Sequence, residues 1–487
     1  MNRLLIILSI LFLFSSCDSW IDVKPENQVT YTNYFETEKD VEGAAFQMFA
    51  AECAYIGCEG DYLKWLGILA DEWTDTYNAP RLGRASDLAN GWGESGWKSS
   101  YDIVFLANTI LENASRADMP KDRLNFWMGQ ASFTKGLAYF ELARTFGDAV
   151  ITRNSTSLEK YGRKPMLEVI DTAIVNAVKA YNLLPLFENL KDLSGAAITS
   201  KQYACKGAAV ALLAHLYAWR GSVIELYGLE GDAPADYQKS IDYCTLILDK
   251  KVGFYEMQPD PETLCAVMSK MGEYNKESIF ELELNPSETY AQTVRVLGAF
   301  LTGYPVDVNA TLATQKTKAF RLKWSTVQEM YETKDKRVDA YFYTNDEILN
   351  DLQTYPYIYL LRAECRAKLE VAEAKEDLNE VRRRANATLY PAVGESDLRL
   401  AIFEEREREL LYEHHRFADV VRNGKAYIQK YFGLSLSTNA GLEENPIKYA
   451  TDQDLKDGML FQPVPESAFL MNGLMRQTAY WLRYVKY

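Results

Sequence analysis

Apolar residues recur every three or four positions along most of the chain, a period that predicts helices rather than strands. The stretch NFWMGQASFTKGLAYFELARTFGD (125–148) sets Ala131, Leu137, Ala138 and Leu142 on a helical period and stops at Gly147. MLEVIDTAIVNAVKAYNLLP follows Pro165, a residue suited to a helix start, and ends at Pro185. SKQYACKGAAVALLAHLYAWRG (200–221) is alanine-rich and closes on Gly221. DYQKSIDYCTLILDKK (236–251) repeats the pattern after the turn-rich YGLEGDAPA. YPYIYLLRAECRAKLE and EAKEDLNEVRRRANA predict a helical hairpin between Tyr355 and Ala387.

Successive helix pairs with small residues at their crossings resemble tetratricopeptide repeats, whose units bury their faces only by stacking. The strict repeat period is absent. The fold class is therefore mainly α: an irregular TPR-like helical-pair array with long loops and a few short strands. Two stretches break the helical pattern, DEWTDTYNAPRLGRASDLANGWGESGW (71–97) and LNPSETYAQTVRVLGAFLTGYPVDVN (284–309). Loops of that length are functional or disordered, and the aromatic content argues against disorder.

The apolar run at the start has another character. Arg3, an h-region from Leu4 to Phe14 and the small pair Ser15-Ser16 form a secretory signal too short to span a bilayer. FSSC resembles a bacterial lipobox, which would make Cys17 the lipidated first residue of the mature protein. The other reading is an ordinary signal peptide with a coincidental cysteine. Several acyl chains on one residue anchor durably. No later segment offers a long uninterrupted apolar run, so the lipid is the expected anchor.

With 487 residues and 48% hydrophobic content, the chain can bury a sizeable core. Its formal charge is −15, or −16 once Arg3 leaves with the leader (−15 − 1). Such a surface repels phosphate backbones, which argues against nucleic-acid binding. The 32 tyrosines and 9 tryptophans stand beside only 3 histidines, a balance that suits stacking better than acid–base or metal chemistry. Cys53 and Cys58 can bridge in an oxidising compartment; Cys205, Cys244, Cys265 and Cys365 are scattered on apolar faces, where buried thiols are expected. Neither a CxxC pair nor a Cys/His cluster supports a zinc site, and nothing calls for a cofactor.

Several segments, in order, resemble the SusD/RagB family of lipid-anchored nutrient-binding proteins of Bacteroidetes outer membranes. CDSWIDVKP matches the start of the family, with Cys17 leading an acidic, aromatic, proline-bearing tether. YDIVFLANTILE (101–112) and GQASFTKGLAYFELARTFGD are similar to two of its helices, and ESIFELEL (277–284) to a Glu-x-Ile-Phe strand. DLNEVRRRANA (377–387) resembles its Leu-Asn-x-Val-Arg-x-Arg-Ala segment. EERERELLYEHHRFADVVRNGKA (404–426) carries Glu409, Glu413, Arg416, Asp419 and Arg422 in the family's arrangement. FQPVPESAFLMNGLMRQTAYW matches the closing pattern in part, with two usual prolines replaced around Gly473 and Thr478. The resemblance implies a signal peptide at 1–16, a lipidated tether at 17–30, an N-terminal helical region at 31–270 and a C-terminal region at 271–487, intertwined as one body. It also implies capture of glycans, or in some members peptides, and delivery to a SusC-like TonB-dependent transporter of the outer membrane.

The glutamate-rich FEEREREL invites comparison with glycosidases, whose two carboxylates flank the sugar bond. Glu405 and Glu409 lie one turn apart on one helix face and point the same way, so they cannot approach a substrate from opposite sides. Glu413, Arg416, Asp419 and Arg422 at i, i+3 steps predict a structural ion-pair ladder. His414 and His415 adjoin it and face different directions. The expected protein is a binder rather than an enzyme. Sugar rings offer apolar C–H faces edged by hydroxyls, so a site wants flat rings bordered by polar groups. In 71–97, Trp73, Tyr77 and Trp92 alternate with Asp75, Asn78, Arg81 and Asn90, while Trp97 reads as packing. A second candidate surface is Tyr290, Tyr304 and Trp324, placed near the binding face by the resemblance. Two other functions stay open: a peptide ligand, or a helical interaction scaffold without a small ligand.

Overall fold

The computed structural model describes residues 34–57, 94–157, 159–268, 275–282, 324–343, 347–348, 355–411, 415–432, 446–470 and 472–485. Helix α1 (Glu38–Glu52) runs into a π-helical turn, Cys53–Gly57. Then come α2 (Glu94–Asn113), α3 (Lys121–Phe146), α4 (Met166–Leu183), α5 (Lys206–Tyr227) and α6 (Ala233–Leu248). The short α7 (Pro261–Met268), α8 (Trp324–Met330) and α9 (Lys336–Tyr341) are followed by α10 (Tyr355–Lys368) and α11 (Ala374–Arg384). Helices α12 (Leu398–Glu409), α13 (Arg416–Arg422), α14 (Lys425–Tyr431) and α15 (Asp452–Lys456) come last. Among the described residues the strands are one short antiparallel pair, β1 (Phe342–Tyr343) and β2 (Glu347–Ile348), with Phe342 opposite Ile348.

Prolines and glycines set the helix ends, not always the ones expected. Helix α4 lies between Pro165 and Pro185, and α3 stops at Gly147, whose φ of 69° a side chain would resist. Helix α5 differs from its expected bounds at both ends. It starts late because Gln130 of α3 holds Ala204 outside the helix, accepting from its N–H at 2.9 Å and donating to its C=O at 2.8 Å. It runs through Gly221 to Gly228, which takes the left-handed conformation (φ 62°). Gly221 serves close approach instead: a Cβ there would sit 2.8 Å from the Tyr237 ring of α6. Helix α6 also begins earlier than expected, at Ala233. Asp232 caps it by accepting from Ala235 N at 3.0 Å, and Pro234 occupies a first-turn position that needs no N–H donor.

Consecutive helices pack on one another: α1 on α2, α2 on α3, α3 on α4, α4 on α5, α5 on α6, and α10 on α11. Small residues let them close up. A Cβ on Gly136 of α3 would lie 3.2 Å from Ala173 O and 3.3 Å from Ala177 N of α4. The result is the irregular array of helical pairs that the periodicity implies. Helix α6 also packs against α10, which ties the early helices to the later ones.

One contiguous core extends from Phe35 to Val485 and holds Trp127, Trp219 and Trp481 fully buried. A smaller core joins Leu360, Leu378, Val381 and Ile402 where α10, α11 and α12 meet. The C-terminal stretch docks on the early helices: Gln462 N donates to Thr145 O at 2.7 Å, and Arg163 donates to Arg476 O and the Thr478 hydroxyl, each at 3.1 Å. Among the described residues only α5 is long and apolar enough to cross a membrane, and 78% of its apolar window is buried in this core.

The expected strand at 277–284 is not a ladder in its described part, 277–282. Other elements take its polar groups. Glu277 accepts from Gln258 N at 2.6 Å and from Arg384 at 2.9 Å, while Phe280 turns its ring onto Phe133 of α3.

Candidate functional site

Cys17, Cys58, Trp73, Asp75, Tyr77, Asn78, Arg81, Asn90, Trp92, Tyr290 and Tyr304 lie outside the described residues, as do the tether 17–30, Glu413 and His414. Trp324 opens α8, but its side chain also lies outside them. What the fold does fix is where the chain leaves for the two aromatic stretches.

The stems converge. Before residue 58, Glu52 accepts from the Thr134 hydroxyl of α3 at 3.2 Å, and the Cys53 sulfur accepts from Gln202 Nε2 at 3.3 Å. Before residue 283, Phe280 packs edge-on against Phe133, the neighbour of Thr134, with ring centroids 4.9 Å apart. Glu281 N donates to the carbonyl of Lys201, the neighbour of Gln202, at 3.2 Å. Two adjacent residues of α3 and two adjacent residues near 201 thus hold both departures side by side.

The first stretch is also pinned where it returns. Tyr55 in the π-turn lies against Gly96 of α2, where a Cβ would be 3.4 Å from its hydroxyl. Trp97 is buried, edge-on to Phe146 at 4.9 Å, which agrees with its reading as packing. The described residues that flank 58–93 on its two sides therefore meet. Phe133 and Thr134 lie in GQASFTKGLAYFELARTFGD and Phe280 in ESIFELEL, but nothing in either segment shows that they meet.

The charged residues of the glutamate-rich helix take a different place. Arg337 of α9, fully buried, donates through Nη1 to Glu405 at 2.7 Å and to Glu409 at 2.8 Å. It also grips Asp335 with Nε at 3.0 Å and Nη2 at 2.7 Å. Glu405 accepts further from Arg382 at 2.9 Å and Arg408 at 2.8 Å; Glu409 accepts from Arg384, which also reaches Glu277. Burial pushes the Glu405 carboxyl up, but Arg337, Arg408 and Arg382 outweigh it and hold it far below the usual carboxylate range. Both carboxylates are saturated with arginine and closed to solvent.

The expected ladder along 413–422 is corrected in the same way. Asp419 and Arg422 do pair along α13, but the stronger partners are on other helices. Arg406 of α12 grips Asp419 with two bonds of 2.9 Å, Arg422 grips Glu364 of α10 at 2.8 and 2.9 Å, and Arg416 pairs with Glu407. Helix α13 is buried, so its charges have no water to face and must find counter-charges across helix boundaries. His415 is buried too, its ring tilted against that of Tyr357, which stacks on His215, both at centroid spacings of 4.4 Å. Burial, with His415 and three arginines near, pushes His215 well below its ordinary value.

This helical body is shared by known structures. A SusD homologue from Bacteroides thetaiotaomicron superposes with a TM-score of 0.71 at 19% identity, covering 91% of this chain and 98% of its own. NanU of Bacteroides fragilis gives 0.66 at 18% identity, covering 94% and 99%. In sequence, the SusD family model matches residues 355–481, and the model described as "starch-binding associating with outer membrane" matches 67–218. The SusD-like protein P2 of Formosa agariphila is 22% identical over 390 residues, 68% of this chain and 72% of its own length. The chain belongs to the SusD/RagB family.

Proposed function

We propose that this protein captures oligosaccharides at the outer face of the outer membrane, held there by a lipid on Cys17, and passes them to a SusC-like TonB-dependent transporter. The observation that carries this reading is the convergence of the two stems on Phe133–Thr134 and Lys201–Gln202. Both segments that carry the rings, 58–93 and 283–323, leave the described body from this one place, which supports a reading in which residues from each serve one ligand. The family supports it, since one of the two matching family models is described as starch-binding associating with outer membrane. Trp73 and Trp92 act as stacking platforms, Tyr77 and Trp324 border them, and Asp75, Asn78 and Arg81 meet hydroxyls. Binding of this kind needs no general acid, and Glu405 and Glu409 are committed to Arg337.

Stacking on a flat ring is worth about 1–3 kcal/mol by analogy with aromatic–base stacking. Trp92→Ala and Trp73→Ala should therefore each weaken oligosaccharide binding roughly tenfold or more in calorimetry, with unchanged circular dichroism. Wild-type affinity in both folded variants would move the site to the stretch from Tyr290 to Trp324.

A further inference from the structure

Glu52 is the last residue of α1 and is 1% exposed. Among the described residues Oε2 accepts one hydrogen bond, from Thr134, at 3.2 Å, and Oε1 has no partner. The elements packed on α1 carry charges, but none pairs with Glu52 among the described residues. On α2, Lys98 pairs with Asp102. On α3, Glu141 pairs with Arg144 and Arg123 with Glu38, while Lys135 senses Lys179 and Glu112. Lys201 sits over the Phe187 ring at 3.8 Å. None of them contributes to the electrostatics of Glu52, whose described surroundings reduce to burial and the Thr134 hydroxyl.

A carboxylate here would be desolvated, unpaired and at the negative end of a helix dipole, three conditions that each favour the neutral acid. Burial accordingly pushes this carboxyl up to about 8. The next residues, Cys53–Gly57, form the π-helical turn, a geometry that recurs at functional sites. We propose that Glu52 is a proton-held latch: protonated, it lets the turn Cys53–Gly57 stay packed, and on giving its proton to water it drives that turn open so that the carboxylate is solvated. Opening would part Tyr55 from Gly96 of α2. The latch is independent of the ligand reading.

The sign follows from linkage. The group binds its proton more tightly closed than open, so the closed turn is favoured fully below the ordinary glutamate value of 4.5 and loses that advantage as pH rises to about 8. Hydrogen exchange of the Cys53–Gly57 amides in the full-length protein, corrected for intrinsic rates, reads the opening. Between pH 5.5 and 7.5, protection should fall about tenfold per pH unit and level off above about 8. In Glu52→Gln it should be flat. An identical fall in both proteins would overturn the latch. Thr134→Val removes the one bond that favours the charged form, so it should move the levelling-off to higher pH. An unmoved plateau in that variant would also overturn the proposal, which keeps the test open even if Glu52→Gln does not fold.

Discussion

Replacing Arg337 by methionine should destabilise the protein by about 3–5 kcal/mol, the usual cost of breaking a buried ion pair from one side. The guanidinium is fully buried and serves three carboxylates, Asp335, Glu405 and Glu409, all of them closed to solvent. Methionine fills a similar space but leaves those charges facing one another without water. Arg382 and Arg408 still hold Glu405, and Arg384 still holds Glu409, so the loss should stop short of the whole network. Urea denaturation checks it, with Lys98→Ala as the contrast: that lysine pairs with Asp102 on an open surface, and its removal should change next to nothing. Equal midpoints for wild type and Arg337→Met would mean that the network does not hold α9 to α12.

Changing Cys17 to alanine should move the protein from the membrane fraction to the soluble one, an all-or-none effect. Arg3, the apolar run Leu4–Phe14 and Ser15-Ser16 lead directly to this cysteine. Among the described residues the alternative membrane element is α5, and its apolar face is spent on the core. A single acyl chain would hold only marginally, but several on one residue anchor durably. Fractionation of intact cells decides it: a variant that stays with the membrane would require another attachment.

What the sequence discloses here depends on how far apart the interacting residues lie. Helix α4 was legible because Pro165 and Pro185 act locally, and Trp97 because it stands one turn before Tyr101 on the same helix. Gly221 misled because glycine both ends helices and admits close neighbours, and only the position of Tyr237 tells which. The stripe from Glu413 to Arg422 suggests a ladder because spacing shows only neighbours, whereas Arg422 pairs with Glu364, 58 positions away, and other buried pairs are as distant. Arg337 lies 68 residues from Glu405, and Glu277 lies 107 from Arg384. No spacing rule links such pairs. The stems are a similar case, since Glu52 and Thr134 are 82 positions apart. The reading of 71–97 and 284–309 as loops lies almost wholly outside the described residues, and the fold adds only how the chain is held just before 58 and 283.

The central claim, that this body presents rings to a sugar and does not cut it, is tested most directly by calorimetric titration of the wild-type protein with a panel of oligosaccharides and peptides, followed by chromatography of the recovered ligand. The account predicts saturable binding of at least one oligosaccharide, recovered intact. Binding confined to peptides, or recovery of the sugar as cleaved products, would contradict it.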